Sequence, residues 1–397
     1  MYTKISLLPG KDVNVQFRHP WIFSGALAEP PGKDLHGSLV QVADSRGRII
    51  GTGTYSARSS IAVRVFAFGD AVIDRAWFAA RLAEAEESRR LLGFGPGRPT
   101  DGYRAVFGEA DGLPGLVVDR YRDVLALQIS TAGLEPLRDE IIGALQDVFK
   151  PRAIVERSDL AVRREEGLTD VVALRRGEDP GLVEFLENGR KCLADVMTGQ
   201  KTGFFLDQRD LRQSLSELSD GRQGLNLFSY TGAGAVAALA GGAKSVHNVD
   251  SSAAALELGH KQAELNGIKP KSFTTEEADI FQYLGANNQP AHDLVIMDPP
   301  ALIKSKNDSD EGRKAYHFLN RAALRLVRDR GLFVTSSCSH FLPEEDLAFT
   351  LRRASLQAGV ILKVLRVIRQ SPDHPQSVYY PEASYLKSFV CLARRAG

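Results

Sequence analysis

The chain has 397 residues, 43% hydrophobic and 25% charged, with 50 Lys and Arg against 49 Asp and Glu. That is the composition of a soluble globular protein of two or three domains, and a net charge of +1 neither demands nor excludes a nucleic acid. No signal-peptide core opens MYTKISLLPGKDV, no run approaches the roughly 20 apolar residues that span a bilayer, and three scattered cysteines build no disulfide framework; a cytoplasmic protein with no membrane partner is expected.

Residues 1 to about 68 read as short strands between turns: SLVQVAD, RIIGTGTY and SIAVRVFAF run apolar or alternate, which predicts a small β-barrel or sandwich. From Ala71 to Leu92 the period turns helical, with Gly93 as a stop, and GFGPGRPTDG is a loop. GLVVD, VLALQIS, AIVERS and LVEFLENG predict strands around a helix near 134–149, a small α+β unit. Beyond it strand and helix alternate, which predicts a parallel sheet covered on both faces. LNLFSY, SVHNVD, DLVIMD and GLFVTS are its strands, with helices near 233–241, 251–266 and 312–329. In the last helix Tyr316, Leu319, Ala323, Leu326 and Val327 share one face. VILKVLRVI and SFVCLARR fit a final antiparallel pair. The expected division is 1–69, 70–190 and 191–397.

Two groups of basic residues are candidate nucleic-acid contacts, Arg46, Arg48, Arg58 and Arg64, and Lys304, Lys306, Arg313 and Lys314. No metal is expected: Cys192, Cys338 and Cys391 lie far apart, with no cysteine or histidine at ligand spacing. A phosphate-binding G-x-x-x-x-G-K-[ST] loop is also missing.

Open α/β sheets bind ligands beyond the carboxyl ends of their strands. After LNLFSY comes TGAGAVAALAGG, after SVHNV comes Asp250, after DLVIM comes Asp298-Pro299-Pro300, and after GLFVTSS comes Cys338. A glycine loop, two carboxylates and a thiol thus fall on one rim. Gly232, Gly234 and Ala237 fit G-x-G-x-x-G/A, and Asp250, 18 positions after Gly232, stands near the spacing of an acid that takes ribose hydroxyls. This points to an adenosine-containing cofactor and leaves a dinucleotide and S-adenosylmethionine both open. Asp279, after another strand, is a candidate for the adenine amino group.

Asp298-Pro299-Pro300 stiffens a carboxylate at a strand end, as an enzyme acting on the edge of an unstacked base requires. Carbon 5 of a pyrimidine is a poor nucleophile until a thiolate adds to carbon 6, and Cys338 is placed to do that. Three rivals remain at this point. An amino-methyltransferase acting on adenine N6 or guanine N2 would use Asp298 and leave Cys338 a bystander. An NAD-linked oxidoreductase would explain the glycine loop alone. A non-catalytic RNA-binding protein would have no use for Cys338, Asp298 and Asp250 together.

TGQKTGFFLDQR (198–209), LNLFSYTGAGA, NVDSS, MDPPA and SSCS, in this order, resemble the class I S-adenosylmethionine-dependent 23S ribosomal RNA cytosine-C5 methyltransferases with an N-terminal PUA domain. HPWIFSGAL, RAVFGEADGLPGLVVDRY, DHP and YPEASYLK fit the same family, so the resemblance covers essentially the whole chain. It implies a PUA-like barrel, a central α+β domain and a Rossmann-like catalytic domain. It also implies S-adenosylmethionine as cofactor, ribosomal RNA as substrate and a homodimer. By motif position it implies that Lys201, Gly203, Phe205, Asp207, Gln208 and Arg209 help wall the cofactor pocket, that Asp250 takes the ribose and that Cys338 is the nucleophile; Tyr230, Gly232, Gly234, Asp279 and Asp298 are read beside them as cofactor-binding. Pro299, Pro300 and Ala301 go to the base, and Cys338, with Asp298, to the chemistry. The sequence departs from the family pattern in TGAG for a TGG-like loop and in Ala301-Leu302 where an aromatic often stands second. No second cysteine accompanies the DPP motif, so the resemblance names no group to take the carbon-5 proton.

Overall fold

A computed structural model describes residues 2–303 and 305–395, with the side chain of Lys306 also outside the description. Lys304 and the Lys306 side chain, both in the second basic group, therefore lie outside the described residues. The chain forms two compact units: residues 1–189, 193–206 and 372–383, and residues 190–192, 207–371 and 384–397.

In the first unit the strands β1 (Thr3–Ser6), β2 (Trp21–Phe23), β3 (Leu39–Ala43), β4 (Ile49–Tyr55) and β5 (Ile61–Ala67) form one sheet in the order β1-β3-β4-β5-β2. Val40, Val42, Val63 and Val65 point inward with Ile5, Leu7 and Ile22. A four-residue helix, α1 (Val13–Gln16), lies between β1 and β2. The helix α2 (Arg75–Leu91) starts at Asp74, whose carboxylate accepts from the Trp77 amide at 2.9 Å, an N-cap that satisfies an otherwise orphan donor.

A second sheet of this unit has the order β10-β9-β8-β7-β6, with β6 (Gly102–Phe107), β7 (Leu116–Tyr121), β8 (Val124–Ile129), β9 (Ala153–Ser158) and β10 (Val171–Arg176). The helices α3 (Arg138–Phe149) and α4 (Ala161–Glu165) sit between its strands in sequence. α2 and α3 pack apolar faces on this sheet through Phe78, Leu82, Ile141 and Leu145, with Leu116, Val118, Leu125 and Leu127 opposite. β11 (Leu182–Glu187) and β12 (Arg190–Asp195) follow, and the chain passes from one unit to the other within β12.

The second unit is a seven-stranded sheet in the order β15-β14-β13-β16-β17-β19-β18. Its strands are β13 (Gln223–Leu227), β14 (Ser245–Asp250), β15 (Phe273–Glu277), β16 (His292–Met297), β17 (Val327–Ser337), β18 (Val360–Arg369) and β19 (Lys387–Arg395). The first five pair in parallel, and β19 runs antiparallel to both β17 and β18. This is the doubly wound sheet with a terminal antiparallel pair that the alternating pattern predicts. The order reverses at β13, with β14 on one side and β16 on the other, so the switch point lies at the carboxyl end of β13. The helices α5 (Arg209–Leu218), α6 (Ala233–Ala240), α7 (Ala253–Leu265), α8 (Ile280–Ala286), α9 (Ser309–Arg325) and α10 (Glu344–Gln357) complete the unit. Leu225, Val295, Met297, Phe333, Tyr316 and Leu319 are central to one core cluster, and Leu211, Val236, Val246, Leu294, Ile296 and Val334 to another.

Among the described residues no helix is long and apolar enough to cross a membrane.

Candidate active site

The loop after β13 is the most constrained backbone of the second unit. Phe228, Tyr230 and Gly232 all take positive φ, at 56°, 48° and 67°. A non-glycine residue there costs of order 1–3 kcal/mol, and such strain gathers at ligand clamps. Gly232 is required twice over, because a Cβ would stand 2.6 Å from the Phe273 ring. Gly234 differs: the nearest atom to an added Cβ is 3.6 Å away, so packing inside the protein does not demand glycine there.

Asp250 ends β14 beside this loop. One carboxylate oxygen accepts the Tyr230 amide at 2.8 Å and the other the Ser252 amide at 2.9 Å. The acid therefore fixes the left-handed Tyr230 while keeping lone pairs for a further donor. One layer down, Asn226 and Asn248 are register partners on β13 and β14 and join side chains at 3.0 Å. This bond satisfies two buried amides beneath the loop.

Asp298 follows β16 and accepts from the Gln208 side-chain amide at 2.6 Å. Pro299 is buried behind it, Pro300 is exposed, and Ala301 is half-buried. Asp207 is 5% exposed and is held by its own segment: its carboxylate accepts the Tyr385 hydroxyl at 2.6 Å and its carbonyl the Ser371 amide at 2.8 Å. Arg209 is buried at the start of α5. Asp279 is exposed and caps α8, accepting the Gln282 amide at 3.0 Å.

Lys201, Gly203 and Phe205 belong to the first unit. Gly203 has φ of 117°, and a Cβ there would meet the Asp195 carbonyl oxygen at 2.7 Å. The Thr202 hydroxyl donates to Asp119 at 2.6 Å, and Asp119 also takes a two-pronged ion pair from Arg104 at 2.8 Å. Exposed Lys201 lies over the Phe205 ring, 4.6 Å from its centre. The segment is thus anchored on β7 by a buried polar network, with its two predicted ligand side chains at the surface of it.

Cys338 sits in the bend that ends β17 and is half-buried, whereas Cys192 and Cys391 are buried. Its neighbours are locked. The Ser337 hydroxyl donates to the Tyr316 hydroxyl at 2.9 Å, and the Tyr316 and Ser339 hydroxyls bond at 3.0 Å. The Ser339 hydroxyl also accepts the Ile303 amide at 3.2 Å, which ties the loop that follows Pro300 to the thiol's bend. Burial raises the Tyr316 phenol above its ordinary range, so it stays neutral and able to donate. Lys387, on β19, donates to the Ser339 carbonyl at 2.7 Å and is 7% exposed.

Sequence patterning marks Tyr316 only as part of a helix face, and Ser337, Ser339 and Lys387 enter only as letters of the SSCS and YPEASYLK motifs, with no role of their own. Their roles arise from helix packing and strand register, which leave no local signal. The first basic group is corrected by the structure: Arg64 is 8% exposed and ion-paired to Glu166 at 2.9 Å, so it is no surface contact. Arg46, Arg48 and Arg58 are exposed, as is Lys314, while Arg313 pairs with Asp346 at 2.5 Å. No group of three or more His, Cys, Asp or Glu suited to a metal occurs among the described residues.

Known proteins resemble this chain along nearly its whole length. Residues 167–355 match the model of an S-adenosylmethionine-dependent methyltransferase family, and residues 5–68 that of a PUA-like domain. Ribosomal RNA large subunit methyltransferase I of Yersinia pseudotuberculosis serotype O:1b and that of Yersinia pestis bv. Antiqua are each 38% identical over 395 residues, 98% of this chain and 99% of theirs. The chain belongs to the ribosomal RNA large subunit methyltransferase I family. Among solved structures, a proposed S-adenosylmethionine-dependent methyltransferase from Streptococcus mutans has the same fold, with a TM-score of 0.83 and 23% identity over 98% of this chain and 100% of that one. A proposed methyltransferase complexed with S-adenosylhomocysteine (SAH) matches with a TM-score of 0.84 at the same identity and coverage. The cofactor is S-adenosylmethionine, and the NAD-linked alternative falls away. Two groups of this edge have chemistry that fits an adenosine portion: the backbone amides at the start of α6, and Asp250, whose carboxylate has acceptor capacity left.

Proposed function

We propose that the chain methylates carbon 5 of a cytosine in large-subunit ribosomal RNA. The observation that carries this reading is the half-buried Cys338, set in a locked bend on the same sheet edge as Asp298. An inert structural cysteine needs no such scaffold.

The Cys338 thiolate adds to carbon 6 of the cytosine, forming a carbon–sulfur bond and making carbon 5 enamine-like. Asp298 faces the N3/N4 edge and stabilises the positive charge that grows there. S-adenosylmethionine, when bound, supplies the methyl group that carbon 5 takes. A base then removes the carbon-5 proton, the electron pair restores the ring double bond, and the Cys338 sulfur leaves as thiolate. Gln208, Tyr230, Asp250 and Asp279 are read as the cofactor's surroundings, and Pro299, Pro300 and Ala301 as those of the base.

The three-part division at 1–69, 70–190 and 191–397 belongs to the same proposal, with the barrel as an RNA-binding module. In its support, a cavity of about 450 Å³ in the barrel is lined by Lys11, Asn14, Trp21 and Phe23, a cation with aromatic faces on which bases stack. A homodimer is supported by the sheet edge β18, where Ile361, Val364, Leu365 and Val367 are exposed; sedimentation of the purified chain as a monomer would remove that part.

The test is nucleoside mass spectrometry. Ribosomal RNA from cells lacking the gene is incubated with the protein and S-adenosylmethionine, then digested. New 5-methylcytidine is expected. A methylated adenine or guanine instead would transfer the chemistry to Asp298 acting on an exocyclic amine.

A further inference from the structure

A buried lysine needs a reason. Removing an ammonium from water is costly unless a partner answers its charge, yet Lys387 is 7% exposed and its one described hydrogen bond goes to a neutral carbonyl, that of Ser339. Its position is defined on both sides of Cys338. Lys387 is the antiparallel register partner of Ser337, and its Nζ reaches the carbonyl of Ser339 at 2.7 Å. Side chains of directly opposed residues lie on the same face of a sheet. Lys387 therefore extends along the face on which Ser337 meets Tyr316, across the bend that carries the thiol. An ammonium has three donors, and the Ser339 carbonyl takes one.

We propose that the Lys387 ammonium is the charge that holds the Cys338 sulfur in its anionic, nucleophilic form. Lys387 is a positioning residue in this scheme, since it acts on the base only through the thiol. The inference rests on the reading of Cys338 as the nucleophile.

The charges around Lys387 are consistent with this role. Burial pulls its ammonium down, the Cys338 thiolate and then Glu344 oppose that pull, and the balance stands at about 8. Glu344 begins α10 and is already engaged by Arg369 at 3.1 Å; Arg369 is the register partner of Lys387 on β18. On α9 the nearby titratable group is Tyr316, kept neutral by burial. His340, two residues beyond the thiol, is exposed. Glu344 thus has a cation of its own, and the thiolate is the anion left for Lys387.

The test reads the sulfur directly. Alkylation of Cys338 by iodoacetamide is followed against pH by peptide-resolved mass spectrometry, in the native chain and in Lys387→Met and Lys387→Arg. In the native chain the rate should reach half its maximum below the roughly pH 8.5 of a free cysteine. Lys387→Met should move that midpoint up by about one pH unit or more, slowing alkylation at pH 7 about tenfold, and Lys387→Arg should restore most of it. A native midpoint at or above that of free cysteine overturns the proposal without any variant. So does an unmoved midpoint in Lys387→Met that still binds S-adenosylmethionine. A shifted midpoint with methyl transfer unchanged supports the Lys387–Cys338 pair and overturns instead the reading of Cys338 as nucleophile.

Discussion

The two ends of the seven-stranded sheet are built from the same strands and handle charge in opposite ways. At the amino end, Asp293 on β16 accepts from the Arg328 guanidinium at 3.3 Å and the Gln223 amide at 3.1 Å, while its carbonyl takes Arg222 at 3.2 Å. At the carboxyl end, Asp250 is held by two backbone amides. A guanidinium cancels a carboxylate's charge; an amide orients it and leaves the charge in place. The amino end is closed electrostatically, and the carboxyl end keeps oriented charge for a ligand. The thiol at that end is treated likewise, its bend fixed by neutral hydroxyls and one buried ammonium.

The largest effect is expected at the thiol. Cys338→Ala should bring 5-methylcytidine formation below detection in the nucleoside assay and leave S-adenosylmethionine affinity near native. Substantial methylation by that variant would sink the covalent mechanism. Next in size is Asp250→Ala, which removes an oriented acceptor and the anchor of Tyr230. Cofactor binding should weaken by about 1–3 kcal/mol, roughly 5- to 150-fold by calorimetry. Asp293→Asn, the matching change at the closed end, should leave affinity unchanged. Equal effects from the two would erase the distinction between the ends.

The sheet was legible because its strands are apolar runs separated by helical periods, as in DLVIM and GLFVTSS. The carboxyl-end groups were legible for the same reason, since whatever follows a parallel strand lands on the rim. What local patterning could not carry failed in three ways. The last helix reads as 312–329, yet α9 ends at Arg325 and β17 begins at Val327. Leu326 and Val327 continue the apolar face, but Val327 pairs with His292 before a register shift, and the ladder resumes at Leu332 opposite Leu294. Arg330, with φ of 60°, marks the irregularity. At the start, Ser309, Asp310 and Glu311 form a polar first turn that offers no apolar period. The strands β1 and β2 have four and three residues, too few to display alternation. The roles of Lys387 and Tyr316 went unread because they meet Ser337 and Ser339, the neighbours of the thiol, only through antiparallel register and helix packing, which join residues 49 and 22 positions away from Cys338.

The smallest effect concerns the closed end and has a definite sign. His292, at the start of β16, is pulled down from 6.5 to about 4, first by burial and then by the charges of His247 and Arg328, against which Asp293 works weakly. Its folded value lies below its unfolded one. Between pH 6.5 and about 4 the unfolded chain therefore binds a proton that the native chain refuses, and native stability must fall as pH drops through that window. His292→Gln removes the titration. Its melting temperature should consequently decline less than that of the native chain between pH 7 and pH 5, with the two curves parallel above pH 7. A native and a variant protein losing stability equally over that interval would show that the imidazole is as readily protonated in the folded sheet as outside it. The amino end would then be open to charge after all, and the contrast with the carboxyl end would rest on Asp293 alone.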